Sequence, residues 1–210
     1  MDRKQYKILA VDDHPVVLEG IRLIVTQIDG VQCTGLTSVE ELKHTLLMED
    51  YDMYILDLEF PDTDGFCVIK DIHEHKPDSH IVIYTMHEEP WVLAKLVDLE
   101  IDGVISKNAE AEELYRAVET VKEGGTHFNE AFLKLVRKRV GCIPSNGNVF
   151  KLSEREREVL LHLSKGLSTS EIADIMFLSV NTIQTYRKRL MAKVKAKNVA
   201  ELVIKGRELP

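Results

Sequence analysis

Four short apolar runs, each closed by a polar residue, constrain this chain more than anything else in it. Residues 8–11 lead into Asp12 and Asp13, residues 54–56 into Asp57, residues 81–84 into Thr85, and residues 103–106 into Lys107. Runs of this kind, alternating with helical patterns of about 10–15 residues, predict a parallel sheet, and such a sheet opens its crevice at the carboxyl ends of its strands. The polar positions are therefore expected to meet in one pocket.

Over the first 123 residues the pattern predicts five strand–helix units. Strands fall near 6–11, 31–36, 53–57, 80–85 and 103–106, and helices near 15–28, 38–48, 64–75, 91–99 and 111–123. Pro15 and Ser38 mark helix starts, and the pairs Asp29-Gly30 and Gly124-Gly125 mark stops. The expected fold is α/β, a doubly wound five-stranded parallel sheet followed by a small all-α domain.

Three carboxylates in one pocket repel one another and stay ionised at neutral pH only around a cation. Oxygen ligands favour Mg2+ or a similar hard ion. A carboxylate can also attack phosphorus to form an aspartyl phosphate, and Asp57 is the candidate nucleophile: it ends the most hydrophobic strand and faces the open turn 60–65. Lys107 would neutralise the charge building on the transferring group, and the Thr85 hydroxyl would donate to one of its oxygens. Singly, an Asp at a strand end is usually a helix cap or turn residue. Capping has no use for an Asp pair, a Thr and a Lys at successive strand ends, which favours the shared site.

Charge divides the chain. Residues 1–123 carry 27 acidic against 11 basic side chains, a net of −16, whereas residues 151–210 carry 7 against 12, a net of +5. The acidic part would repel DNA, and the basic part could approach phosphates and gain affinity by releasing counterions. Cys33, Cys67 and Cys142 are few and widely spaced, so neither a disulfide framework nor a zinc site is expected. With no apolar stretch of membrane-spanning length and no signal-peptide pattern, a reduced, cytoplasmic setting without membrane contact is the expectation. The predicted domains are 1–124, a linker 125–149 with a helix over 129–140 and a flexible tether over 142–148, and 150–210.

From Leu152 onward the pattern is helical. Ser153 with Glu156, and Ser168 with Glu171, have the spacing of capping boxes. Val159, Leu160 and Leu163 form the inner face of one helix, and Ile172, Ile175 and Met176 that of the next. A turn at Leu178-Ser179 leads into a helix over 180–194, with Val180, Ile183, Tyr186, Leu190 and Val194 on one face and Asn181, Gln184, Thr185, Lys188 and Lys195 opposite. Two helices around a tight turn, the second with a polar and basic outer face, predict a helix-turn-helix whose second helix enters the major groove of double-stranded DNA. Asn and Gln suit adenine edges, Thr a thymine methyl, and Lys guanine or phosphate. Asn181, Thr182, Gln184, Thr185, Arg187 and Lys188 are the expected DNA contacts. A last helix, from Asn198 to about Arg207, presents Val199, Leu202 and Val203 either to its own core or to a second copy across a two-fold axis. The pairing role makes these three the candidate dimerisation residues.

These motifs resemble a known family. Asp12-Asp13-His14-Pro15, the stretch 56–65 around Asp57, Thr85-Met86-His87-Glu88, Ser106-Lys107, LSEREREVL at 152–160 and NTIQTYRK at 181–188 are similar to bacterial two-component response regulators of the NarL/FixJ branch, a receiver followed by a LuxR-type helix-turn-helix. The resemblance covers nearly the whole chain and implies a CheY-like receiver and a transcription regulator, not an enzyme. It implies that Asp57 accepts a phosphoryl group from a sensor histidine kinase. Asp12, Asp13, Asp57 and the Glu59 backbone carbonyl would hold Mg2+, and Thr85 and Lys107 would read the phosphate. The active form would be a homodimer on promoter DNA, with RNA polymerase as a further partner. Val104 stands where such receivers often carry a switch aromatic, and Gln184 and Tyr186 where lysine and histidine are more usual. A constitutive DNA-binding regulator with a phosphorylation-independent receiver is the alternative. A phosphatase of the haloacid dehalogenase type is disfavoured, because it would place its nucleophile on the first strand.

Overall fold

The computed structural model describes residues 5–141 and 152–207; the predicted tether at 142–148 lies outside them. Contacts gather the chain into two compact units, Met1–His87 with Gly103–Glu119, and Glu88–Asp102 with Thr120–Pro210.

The sheet is built from strands β1 (Tyr6–Val11), β2 (Val31–Leu36), β3 (Met53–Leu56), β4 (His80–Thr85), β5 (Gly103–Ser106) and β6 (His127–Phe128), in the order β2-β1-β3-β4-β5-β6. The pairings of β1 with β2 and β3, of β3 with β4 and of β4 with β5 are parallel. All four residues of β3 and of β5 are buried, as continuous apolar runs covered on both faces require. Five strands were expected and six are found among the described residues. The extra one is two residues long, too short for any periodicity to reveal, and the His127 N–H reaches the Asp102 carbonyl at 2.9 Å.

Helices α1 (Pro15–Val25), α2 (Val39–Met48), α3 (Gly65–His75), α4 (Pro90–Leu96) and α5 (Ala111–Lys122) fill the connections. Pro15 and Pro90 occupy first helical positions, where a missing N–H costs nothing. Ser38 caps α2 by accepting from the Glu40 and Glu41 N–H groups, and Asp64 caps α3. Helix α1 stops short of the expected residue 28: the Thr26 hydroxyl turns back onto the Arg22 carbonyl at 2.7 Å, and single-turn bonds then lead to Gly30 at φ +74°. Helix α4 likewise stops at Leu96, where single-turn bonds take over up to Leu99.

Helix α6 (Glu130–Gly141) matches the predicted linker helix, burying Phe132 and Val136, and it packs with α4. Beyond it come α7 (Glu154–Ser164), α8 (Thr169–Met176), α9 (Val180–Val194) and α10 (Val199–Arg207). Both predicted capping boxes are formed. Ser153 Oγ accepts from the Glu156 N–H at 3.3 Å while the Glu156 carboxylate accepts from the Ser153 N–H at 2.7 Å, and Ser168 and Glu171 repeat the exchange at 3.2 and 2.8 Å. Val159, Leu163, Ile172, Met176, Ile183, Leu190, Val194 and Leu202 share one core. Burying each side chain of this kind is worth about 1.5–3 kcal/mol, so the core outweighs any single cap.

Two expectations fail here, and a third had two alternatives. Ile175, expected inward, is about half exposed: α8 is short, and Ile172, Ala173 and Met176 already occupy its buried side. Val180, expected on the inner face of α9, lies exposed in that helix's first turn. Val199 and Leu202 are buried within the chain, and Val203 packs half-buried against the same core. Helix α10 packs against α6, α7 and α9, so Val199 and Leu202 take the first of the two placements open to them, in the chain's own core.

Candidate functional site

The sheet register assembles the pocket. Val11 pairs with Leu56, Leu56 with Ile83, and Thr85 with Ser106, so residues 12, 57, 85 and 107 stand at one edge. Backbone bonds extend the ladder past the strand ends: the Asp57 N–H donates to the Val11 carbonyl at 3.1 Å and the Lys107 N–H to the Thr85 carbonyl at 2.8 Å. Asp12, Asp57 and Thr85 are buried, while Asp13 is partly open.

The Lys107 ammonium lies 2.6 Å from Asp57 Oδ2 and 2.6 Å from Asp12 Oδ2, hydrogen-bonded to the first and in close ionic contact, off hydrogen-bonding geometry, with the second. Burial pulls the Lys107 ammonium toward a lower pKa, but the two carboxylates outweigh it and the net shift is upward. Asp57 Oδ1 accepts from the Leu58 N–H at 2.6 Å, and Asp12 Oδ1 from the His14 N–H at 3.0 Å. Burial raises the pKa of the Tyr84 phenol, and the neighbouring Lys107 charge partly offsets it.

One lysine cannot neutralise three carboxylates. Asp12, Asp13 and His14 offer ligand atoms within 4.8 Å of one another, with His14 Nδ1 2.7 Å from Asp13 Oδ1. An oxygen-rich, net anionic donor set fits a hard divalent cation. The Glu59 side chain is exposed and reaches His87 Nε2 at 3.1 Å, while the His87 N–H donates to Thr85 Oγ1 at 3.2 Å. Of the predicted site residues, Asp12, Asp57 and Lys107 are in direct contact, His14 joins Asp13 to Asp12, and His87 joins the Glu59 side chain to Thr85. Val104 is fully buried in β5 opposite Ile83. His14, whose ring lies beside the acid pair, was not among the predicted ligands, although its adjacency in sequence was in plain view.

In the second unit, Asn181, Gln184, Thr185, Lys188 and Arg189 are exposed along α9, and Thr182 is half-exposed. Arg187 departs from expectation: it is buried, its guanidinium donating to the Gly124 carbonyl and, at 2.7 Å, to Thr169 Oγ1. It follows Ile183 by four residues and precedes Leu190 by three, which places it on the inner row of the helix. That spacing was the available signal.

A strand-end acid pocket in one unit and a helix-turn-helix in the other define a class, and similarity to known proteins agrees with it. Residues 8–119 match the response regulator receiver domain, and residues 151–205 match the luxR family of bacterial regulatory proteins. The chain belongs to the response regulators that carry a luxR-family DNA-binding domain, a family of transcription regulators. Among its relatives, the transcriptional regulatory protein RcsB of Salmonella typhi is 33% identical over 196 residues, covering 91% of this chain and 89% of that protein. The oxygen regulatory protein NreC of Staphylococcus carnosus is 32% identical over 206 residues, 94% of each chain. A solved structure of the Salmonella typhimurium RcsB response regulator superposes with a TM-score of 0.60 at 30% identity, covering 96% of this chain and 97% of that one. An RcsB–DNA complex gives 0.59 at 29% identity, covering 99% of this chain and 100% of that one. Among the described residues, no helix is long and apolar enough to cross a membrane.

Proposed function

We propose that the chain is a cytoplasmic regulator switched by phosphorylation of Asp57, with a receiver over 1–124, a linker over 125–149 and a DNA-binding domain over 150–210. The observation that carries this reading is the Lys107 ammonium held 2.6 Å from both buried carboxylates, Asp12 and Asp57, at adjacent strand ends. An Asp57 carboxylate oxygen forms the new bond to phosphorus as the N–P bond of a histidine kinase's phosphohistidine breaks, and the imidazole leaves with its electron pair. Lys107 pairs with the transferred oxygens, and the Thr85 hydroxyl turns to donate to one of them. Asp12, Asp13, Asp57 and the Glu59 carbonyl would hold Mg2+, which withdraws charge from the phosphoryl group when bound.

The phosphate brings close to two negative charges at neutral pH and biases the chain toward a homodimer that binds promoter DNA through Asn181, Thr182, Gln184, Thr185 and Lys188. Moving a 1:99 population to 99:1 takes about 5.5 kcal/mol of differential affinity. Light-scattering mass in Mg2+, with and without beryllofluoride as an acyl-phosphate mimic, tests this on the wild type and Asp57→Ala. A shift from monomer to dimer in the wild type alone is expected. An unchanged wild-type mass would refute phosphorylation-driven dimerisation and favour a constitutive regulator, the reading to which a core-bound Val104 lends weight. RNA polymerase is the further partner such a regulator would meet at a promoter.

A further inference from the structure

We propose that Val180 is a specificity-determining residue whose methyl groups meet the 5-methyl group of a thymine, so that the first two turns of α9 select an A·T-rich half-site. The proposal rests on the DNA-binding reading above and says what sequence that interface reads.

The start of α9 is fixed in place. Ser179 caps it by accepting from the Thr182 N–H at 3.1 Å, and the Ser179 and Thr182 hydroxyls pair at 2.8 Å. Val180 comes next, 41% exposed, at the head of a row of residues four apart that continues through the exposed Gln184 and Lys188. A β-branched side chain in a helix is held close to one rotamer, so its methyl groups point in a set direction. Leaving them in water is unfavourable, and contact with a thymine methyl in the major groove removes them from it.

The rest of the exposed face matches the same base pair. Thr185 Oγ1 donates its proton to the Asn181 carbonyl at 2.9 Å, which leaves the side chain no donor for a base edge and makes its methyl group the reading element. Asn181 and Gln184 are exposed carboxamides, the groups that pair bidentately with adenine. Guanine is read chiefly by arginine or lysine, and residues 180–186 contain no charged side chain. Arg187, the next residue, is buried, its guanidinium held by the Gly124 carbonyl and Thr169. Charge on the exposed face begins only at Lys188, in the third turn.

The test starts from the full chain in Mg2+ and beryllofluoride and a pool of random duplexes, from which the bound sequences are selected and read. The selected half-sites are expected to be A·T-rich. Each thymine of the selected site is then replaced singly by uracil, which removes the 5-methyl group and keeps the base pair, and affinity is measured by fluorescence anisotropy. One replacement is expected to weaken wild type about fourfold, the worth of one buried methyl group, and to leave Val180→Ala unaffected. A second is expected to weaken wild type and Val180→Ala alike but to spare Thr185→Ser, which keeps the hydroxyl and loses the methyl. Val180 is exposed and alanine is the better helix former, so the comparison reports contact and not folding. If a site is selected and every uracil costs wild type and Val180→Ala the same, specific DNA binding stands and this proposal is overturned. A G·C-rich selected site would overturn it too. If no duplex is retained at all, the DNA-binding reading fails and the proposal falls with it.

Discussion

Gly65→Ala separates helix propensity from steric fit at the edge of the acid pocket. Gly65 is the first residue of α3, where alanine is the better helix former by up to about 1 kcal/mol. A Cβ at that position, however, would lie 2.6 Å from Leu58 Cα, 2.7 Å from the Leu58 carbonyl oxygen and 2.9 Å from its carbon. These are backbone atoms, and they are pinned: the Gly65 N–H donates to the Leu58 carbonyl at 3.2 Å, and the Leu58 N–H to Asp57 Oδ1 at 2.6 Å. Relief must come from moving the turn that carries Asp57. Overpacking of a site able to yield costs about 1–3 kcal/mol, and here the upper end applies. At about 2–4 °C per kcal/mol for a chain of this length, calorimetry should show a melting temperature lowered by about 6–12 °C. Gly20→Ala is the control: it lies inside α1, a Cβ there meets nothing within 4 Å, and it should stabilise by about 0.5–1 kcal/mol. A Gly65→Ala protein as stable as wild type would refute the steric argument, since propensity alone gives both substitutions the same sign.

Two further outcomes are open to measurement. The hydrogen bond from Lys193, reinforced by the Ser153 N–H, holds the Glu156 carboxyl below its ordinary value of 4.5. A depressed folded-state value contributes stability that is full above the ordinary value and lost as pH falls through the lowered one. Glu156→Gln should therefore cost about 1 kcal/mol in urea titrations at neutral pH, with the gap closing in acid; a gap independent of pH would contradict the ion-pair assignment. Burial pushes the half-buried Cys33 thiol up to about 11, whereas Cys67 is exposed. In a Cys142→Ser background at pH 8, iodoacetamide should modify Cys67 well before Cys33, and equal rates would refute the burial argument.

How much of this was legible in the sequence depends on where each determinant lies. Strand positions and caps could be read because their causes are local: β-branched runs fix β1, β4 and β5, and Ser153 and Ser168 each cap the helix that follows. The pocket was legible for the same reason, since parallel register brings the residues after Val11, Leu56 and Ser106 to one edge whatever the helices do. Phe177 was not: it takes φ +55° at the end of α8, a position where the sequence offers no glycine to announce a left-handed cap.

Arg187 marks the boundary more sharply. Helical spacing places it in the row of Ile183, Leu190 and Val194, but an arginine there reads as a side chain able to lift its charged end into solvent. What buries it is a main-chain carbonyl, that of Gly124, 63 residues earlier in the chain. A carbonyl is present at every residue and has no side-chain signature, and the one hint, a Gly124-Gly125 pair, is equally well explained as a helix stop. Chemistry carried by side chains at element ends could therefore be placed from sequence. Chemistry that depends on a polar side chain meeting backbone could be found only once the fold had brought the two together.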